Sequence, residues 1–394
     1  MSFFENRLTQ QKNKNLWRKR NIDHAHKTNP ENPFLSFIDN DYLGLAKHPK
    51  IIQALYEGAL EYGVGSTSSQ LLGGYHAVHK TLEEALADFL GFEQCLLFPS
   101  GYQANFSAIT TLVQKSDSLF THRLNHASLI DASLFTRAKI YRFSSLAQLK
   151  NQLKNSSSKE KWILTDTVFS MDGFIIPLPD LIELANEFQA KIILDDAHGI
   201  GVLGQGGKGC LEHYGIENTQ LISLITGGFG KAFGGQGGFI VGNKNIIEYL
   251  TQFARGFIYS TGLSPALANA MLSALNLIKN NSENQVYLKN LIQYFKKTAQ
   301  DLDLHFLPSD TPIQALVLND AGKTIKISEA LKEKNIISKF GRPRHPQSQG
   351  QVERANQTLV RRISKCLNGG SVRWIDILRK FLFYLYFATA TSHQ

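Results

Sequence analysis

Cysteine is scarce. Cys95, Cys210 and Cys366 are far apart and odd in number, so no disulfide framework and no paired metal-binding spacing is present. That usage leads us to expect a reducing, cytoplasmic setting and no structural metal. Long apolar runs are also missing. The opening stretch, "MSFFENRLTQQKNKNLWRKR", has no apolar core of leader-peptide length. The run "FLFYLYFATA" near the C-terminus has about half of the roughly 20 residues a membrane-spanning helix needs, so no membrane partner is expected. Acidic residues run short in one place only. Residues 339–394 hold ten Lys/Arg against Glu353 and Asp376, a net +8 of the chain's +9. A near-neutral body therefore carries a basic tail, and the overall charge says little about the body's partners.

What is present points to an α/β protein. At 394 residues and 43% hydrophobic, the chain suits one large and one smaller domain. Residues 78–91 place Val78, Leu82, Ala85, Leu86 and Phe89 on one helical face, with Gly91 as a stop. "CLLF", "WILTDTVFS", "KIILDDA", "LISLIT" and "GGFIVGN" read as buried strands, with helices predicted from Tyr102 and over "LPDLIELANEFQA". This alternation implies a mostly parallel sheet covered by helices, with ligands bound just past the strand C-termini. Residues 264–303 read as wholly helical. "IQALVL" (313–318), a helix near 323–335 and "IIS" then begin a smaller α+β unit.

The segment "TGGFGKAFGGQGG", residues 226–238, has seven glycines and one charged side chain, Lys231. A Walker-type phosphate loop requires Ser or Thr after the lysine, and Ala232 stands there. Two readings stay open: a solvated lysine in a flexible turn, or a Schiff-base lysine whose amine is kept partly neutral at a confined strand end. Other strand ends bear on the choice. Asp195 and His198 close "ILDDAHG", where a carboxylate suits a protonated pyridine nitrogen and a histidine suits a phenolic oxygen. "FPSGYQAN" runs through Gly101 into a helix start, whose free amides suit a phosphate. His126 in "LNHASLIDA" offers a flat ring for stacking. Taken singly, Asp195 also reads as a helix cap or metal ligand, and His126 as an ordinary loop residue.

"NDYLGLAKHP", "GVGSTSSQLLGGYHAVHKTLEEALADFLG", "LFPSGYQAN", "NHASLIDA", "VFSMDG", "LDDAHGIGVLG", "FGKAFG" and "FIYSTGLSPA" together resemble the α-oxoamine synthases, over about residues 1–340. The resemblance implies a fold-type I, aminotransferase-like large domain, with pyridoxal 5'-phosphate (PLP) as cofactor. "GGYHAVH" and "FIYST" are most like members that condense L-alanine with a pimeloyl thioester (pimeloyl-CoA or pimeloyl-carrier protein) in biotin biosynthesis. It further implies that Lys231 is the imine-forming lysine, Asp195 the partner of the pyridine nitrogen, His198 that of the phenolic oxygen, and His126 the stacking ring. Gly101 and Tyr102 would lie by the phosphate and Ser170 near the ring. Asn40 and Tyr42 would form the rim, and Ser260 and Thr261 would reach the partner subunit's phosphate in a homodimer.

Two departures from the family pattern stand out. Gly228 occupies the position of a threonine that would contact the phosphate, and Thr226 is the nearest substitute. After "NIISKF" the chain continues "GRPRHPQSQGQVERANQTLVRRISKCL", which resembles the end of an integrase catalytic core with Glu353 as its glutamate. A gene fusion is the inference. The expected organisation is an N-terminal segment (1–45), a PLP-binding large domain (46–280), the remainder of a small domain (281–340), incomplete or replaced, and a basic integrase-like tail (341–394). Arg342 and Arg344 are candidates to replace a lost carboxylate clamp. Arg354, Arg361, Arg362 and Lys365 would form a basic helical face. The alternatives are an inactive PLP-binding remnant, a glycine- or serine-using acyltransferase, or salt-sensitive nucleic-acid binding through the tail.

Overall fold

The computed structural model describes residues 2–13, 17, 18, 20, 35–302 apart from 218–221 and 281, 304, 306–318, 321–333 and 336–338. The basic tail, including Arg342, Arg344, Glu353, Arg354, Arg361, Arg362 and Lys365, lies outside the described residues. The chain divides into two compact units, residues 40–302 with 307–315, and residues 1–39 with 303–306 and 316–394.

The first unit is built on a seven-stranded sheet. In chain order its elements are α2 (Pro49–Tyr62), α3 (Ala77–Leu90), β2 (Gln94–Phe98), α4 (Gly101–Leu112), β3 (Ser118–His122), α5 (Ala127–Thr136), β4 (Lys139–Phe143), α6 (Leu146–Lys154) and β5 (Lys161–Asp166). There follow α7 (Leu178–Phe188), β6 (Lys191–Asp195), α8 (Cys210–His213), β7 (Ile222–Gly228), β8 (Gly238–Gly242), α9 (Lys244–Phe253), α10 (Arg255–Ile258), α11 (Pro265–Asn280) and α12 (Glu283–Asp301). The other unit holds α1 (Phe3–Asn13), β1 (Leu35–Phe37), α13 (Ala321–Glu333) and β9 (Ile336–Ser338).

The strand order is β2-β8-β7-β6-β5-β3-β4, and only β8 runs antiparallel to its neighbours. The strands read as continuous apolar runs because both faces are covered. Trp162, Leu164, Ile193 and Leu119 point into one core layer, and Ile163, Ile192, Leu194 and Phe120 into the other. That is the two-residue alternation of extended chain. On the edge strand β2, Leu97 has its N–H bonded to Glu83 Oε1 (3.2 Å) and its carbonyl to Gln70 Nε2 (2.9 Å), so its outward backbone groups are capped by side chains.

The helix predicted over 78–91 is α3, and Gly91 ends it in the left-handed region at φ 75°. The stretch 264–303 is helical as two elements, α11 and α12, with Ser282 at the N-cap position of the second. "IQALVL" is not a strand. Ile313 packs on the large core of the first unit, whereas Leu316 and Leu318 pack with Leu304 and Ile327 in the other. An apolar run reports burial, and here burial is met without a ladder. "IIS" is a strand, and its parallel partner is β1, Leu35 to Ile336 and Phe37 to Ser338.

Candidate active site

Phe98, Asp166, Asp195 and Gly228 end four of the six strands that run in one direction, so all four lie at the same end of the sheet. At the first exit Ser100 caps α4, its Oγ accepting from Gln103 N at 3.1 Å. Four glycines converge there. A Cβ at Gly101 would lie 3.7 Å from Gly227 O and 3.8 Å from the Cα of Gly228. A Cβ at Gly238 would sit 2.5 Å from Gly101 N, which no side chain allows. The backbones of β7, β8 and α4 therefore meet at the start of a twelve-residue helix, where Ser100 covers the amide of Gln103. Tyr102, the second residue of this helix, donates its hydroxyl to Asp131 Oδ2 at 2.5 Å.

Asp166 and Asp195 are in register on adjacent parallel strands, so their carboxyl groups point the same way. Asp195, 8% exposed, accepts from Asn105 Nδ2 at 2.6 Å and from Ala197 N at 3.0 Å. Asp166 accepts the main-chain N–H of His126 at 2.6 Å. Burial and the neighbouring Asp195 charge push the Asp166 carboxyl well above the usual carboxylate range, while the His126 amide and the Lys231 cation pull it back. Lys231 is thus within electrostatic reach of Asp166. Its loop is better packed than its glycines suggest: Phe229 and Phe233 are fully buried, and Gly235 N bonds to Phe229 O at 2.8 Å.

His198 is half-buried, and its Nδ1 lies 2.8 Å from the Tyr42 hydroxyl. Burial raises the Tyr42 phenol above its ordinary value. Asn40 Oδ1 accepts more loosely from that hydroxyl, at 3.5 Å. Asp196, beside Asp195, accepts from Thr167 Oγ1 and, at 2.8 Å, from Cys210 N, pinning the loop after His198; burial moves its carboxyl up to about 7. Ser170 is half-buried in the turn after β5. Ser260 and Thr261 are held on the segment after α10, where Thr261 bridges Ser69 and Ser260 Oγ donates to Thr261 O at 3.4 Å. Those contacts do not join them to the strand-end group.

Thr226 does not replace the missing hydroxyl at Gly228. Its Oγ1 is buried and donates to Asn105 Oδ1 at 2.6 Å, so it braces the Asp195 side of the site. Asn105, Ser128 and Asp166 were missed at the level of sequence. The available signal was positional: Asn105 lies one helical turn beyond Gly101, and Asp166 ends a strand as Asp195 does.

The sheet order and this constellation define a fold-type I, aminotransferase-like α/β protein. Solved structures agree on the fold. A serine palmitoyltransferase from Sphingomonas wittichii superposes with TM-score 0.77 at 24% identity, covering 87% of this chain and 89% of that one. An 8-amino-7-oxononanoate synthase from Francisella tularensis superposes with TM-score 0.71 at 31% identity, covering 84% and 97%. A family model described as aminotransferase class I and II matches residues 33–355, and the chain belongs to that family. That match runs past residue 340, where the sequence reading places its break. Two relatives are also 8-amino-7-oxononanoate synthases: one from Nitrosospira multiformis, 45% identical over 79% of this chain and 78% of its own length, and one from Thioalkalivibrio sulfidiphilus, 40% identical over 85% and 87%.

Proposed function

We propose that the chain is a PLP-dependent acyltransferase that condenses L-alanine with a pimeloyl thioester, releasing CO2 and the thiol carrier and forming 8-amino-7-oxononanoate for biotin biosynthesis. The observation that carries this is the buried Asp195 carboxylate, held by Asn105 at the sheet end shared with Asp166, His126 and the Lys231 loop. The relatives at 40–45% identity support the choice of substrates.

The residues present fit PLP. The four-glycine approach at α4 leaves main-chain amides and a helix N-terminus for the phosphate. Asp195 is an acceptor for a pyridinium N–H, His126 supplies a ring for stacking, and Lys231 an amine for attachment. When bound, PLP supplies an electron sink for the carbanion at the amino-acid α-carbon. Lys231 would supply both the amine that holds PLP and the base that takes the amino-acid α-proton. Asp195 would hold the pyridine nitrogen in its protonated form, and His198, oriented by Tyr42, would hydrogen-bond the phenolic oxygen. Ser170 would lie beside the ring, and Gly101 and Tyr102 beside the phosphate.

The enzyme works as a cytoplasmic homodimer, with Ser260 and Thr261 offered to the partner's phosphate. Exposed Val64 (86%), Leu72 (84%) and Tyr259 (70%) flank the joined segments 64–74 and 259–264, a surface suited to a second copy. Residues 341–394 are an integrase-like addition. Purified protein given L-alanine and pimeloyl-CoA should release CoA and CO2. Turnover with glycine or L-serine but not L-alanine would move the assignment to another acyltransferase, and no turnover with any of them would mark an inactive cofactor-binding remnant.

A further inference from the structure

Asn105 and Ser128 form a directed hydrogen-bond chain. Asn105 is 3% exposed, and its Nδ2 donates to Asp195 Oδ2 at 2.6 Å and to Ser128 Oγ at 3.0 Å, which uses both hydrogens. Its Oδ1 accepts from Thr226 Oγ1 at 2.6 Å. Ser128, fully buried, accepts from Asn105 and so has its own proton to give; His126 Nδ1 lies 2.8 Å from its Oγ. The main-chain N–H of Ser128 points at the same nitrogen from 3.3 Å, because His126 is the N-cap of α5 and uses its ring as the cap acceptor. A ring nitrogen that accepts from two donors carries no proton, which leaves the proton on Nε2.

We propose that the α5 cap and the Asn105–Ser128 pair fix His126 as the neutral Nε2–H tautomer and tie its ring to Asp195. Asn105 and Ser128 are positioning residues, acting through His126 and Asp195. Only the consequence rests on the functional reading: a neutral ring adds no like charge beside a pyridinium held at Asp195.

The test is long-range proton–nitrogen correlation on protein carrying ring-15N histidine, with and without PLP. The His126 signals are assigned by their loss in His126→Gln. The expected result is an unprotonated Nδ1 and a protonated Nε2 in both states. Ser128→Ala keeps the main-chain donor and removes the hydroxyl, so the Nδ1–H population should rise roughly fivefold, the equivalent of one hydrogen bond of about 1 kcal/mol. Asn105→Ala should shift it in the same direction, whereas a merely structural role would lower thermal stability and leave the populations unmoved. A proton on Nδ1 in the wild-type protein overturns the proposal, as do wild-type populations in both variants. If a variant fails to fold, the wild-type spectrum alone decides. A wild-type protein that never attaches PLP at Lys231 would defeat the functional reading and leave the tautomer result standing.

Discussion

Asp195 and Glu83 are nearly equally buried, at 8% and 9% exposure, and each carboxyl accepts two hydrogen bonds from the chain. Their settings differ. Asp195 ends a strand beside Asp166 and shares its surroundings with His126, His198 and the Lys231 loop. Glu83 lies on α3 behind the edge strand β2, bonded to the Tyr75 hydroxyl at 2.7 Å and to Leu97 N at 3.2 Å. Burial pushes the Glu83 carboxyl up to about 7. A perturbed buried acid is therefore not enough to mark a reactive site. What separates the two is convergence: one is joined through Asn105 and Ser128 to His126 and lies in register with Asp166, which feels Lys231, and the other closes a backbone edge.

The comparison can be broken most directly at Lys231. Lys231→Ala should lower product formation at least roughly 10^4-fold while the unfolding midpoint stays at the wild-type value; retained turnover would remove the strand-end cluster from the chemistry. Asp195→Asn keeps the shape and loses the charge, and kcat should fall roughly 10^2–10^3-fold. Glu83→Gln in the same assay should leave kcat unchanged, and an equal loss in both would erase the distinction between the two acids.

Glu83 should instead show itself in stability. Its folded value lies above its ordinary 4.5, so folding favours the protonated form. Its contribution is full below about pH 4.5 and is lost as the pH rises through about 7. The stability advantage of wild type over Glu83→Gln, read from urea unfolding, should therefore shrink between pH 4.5 and 7, by up to about 3 kcal/mol. An advantage that grows with pH would contradict the assignment.

The smallest effect sharpens the strand-end side. A Cβ at Gly228 meets only Ala197 Cβ, at an ordinary 3.6 Å. Gly228→Thr should fold normally and retain PLP on dialysis roughly tenfold better, the equivalent of about 1.5 kcal/mol for a bond to a charged group. Unchanged or weaker retention would show that the hydroxyl position is not vacant in the sense supposed.

Much of this was legible in sequence, for identifiable reasons. The 3.6-residue spacing of Val78, Leu82, Leu86 and Phe89 marked a helix, and apolar runs ending in polar residues marked strands whose ends carry Asp195 and lead to Lys231, though not the strand before His126. What escaped was set by partners rather than by local pattern. β1 is three residues long, too short for a periodic signal, and exists because it pairs with β9, the "IIS" strand. "IQALVL" is as apolar as a strand, yet its side chains divide between two cores. Asn105, Ser128 and Thr226 are ordinary helix and strand residues in sequence. Only the fold brings them from 23 and 121 positions apart into one hydrogen-bonded group.

The most direct measurement is borohydride reduction of the purified, PLP-loaded protein followed by peptide mapping. A pyridoxyl group on the peptide containing Lys231 is the predicted result. A reduced, PLP-loaded protein with no adduct at that residue, or with the adduct on another lysine, would contradict the account.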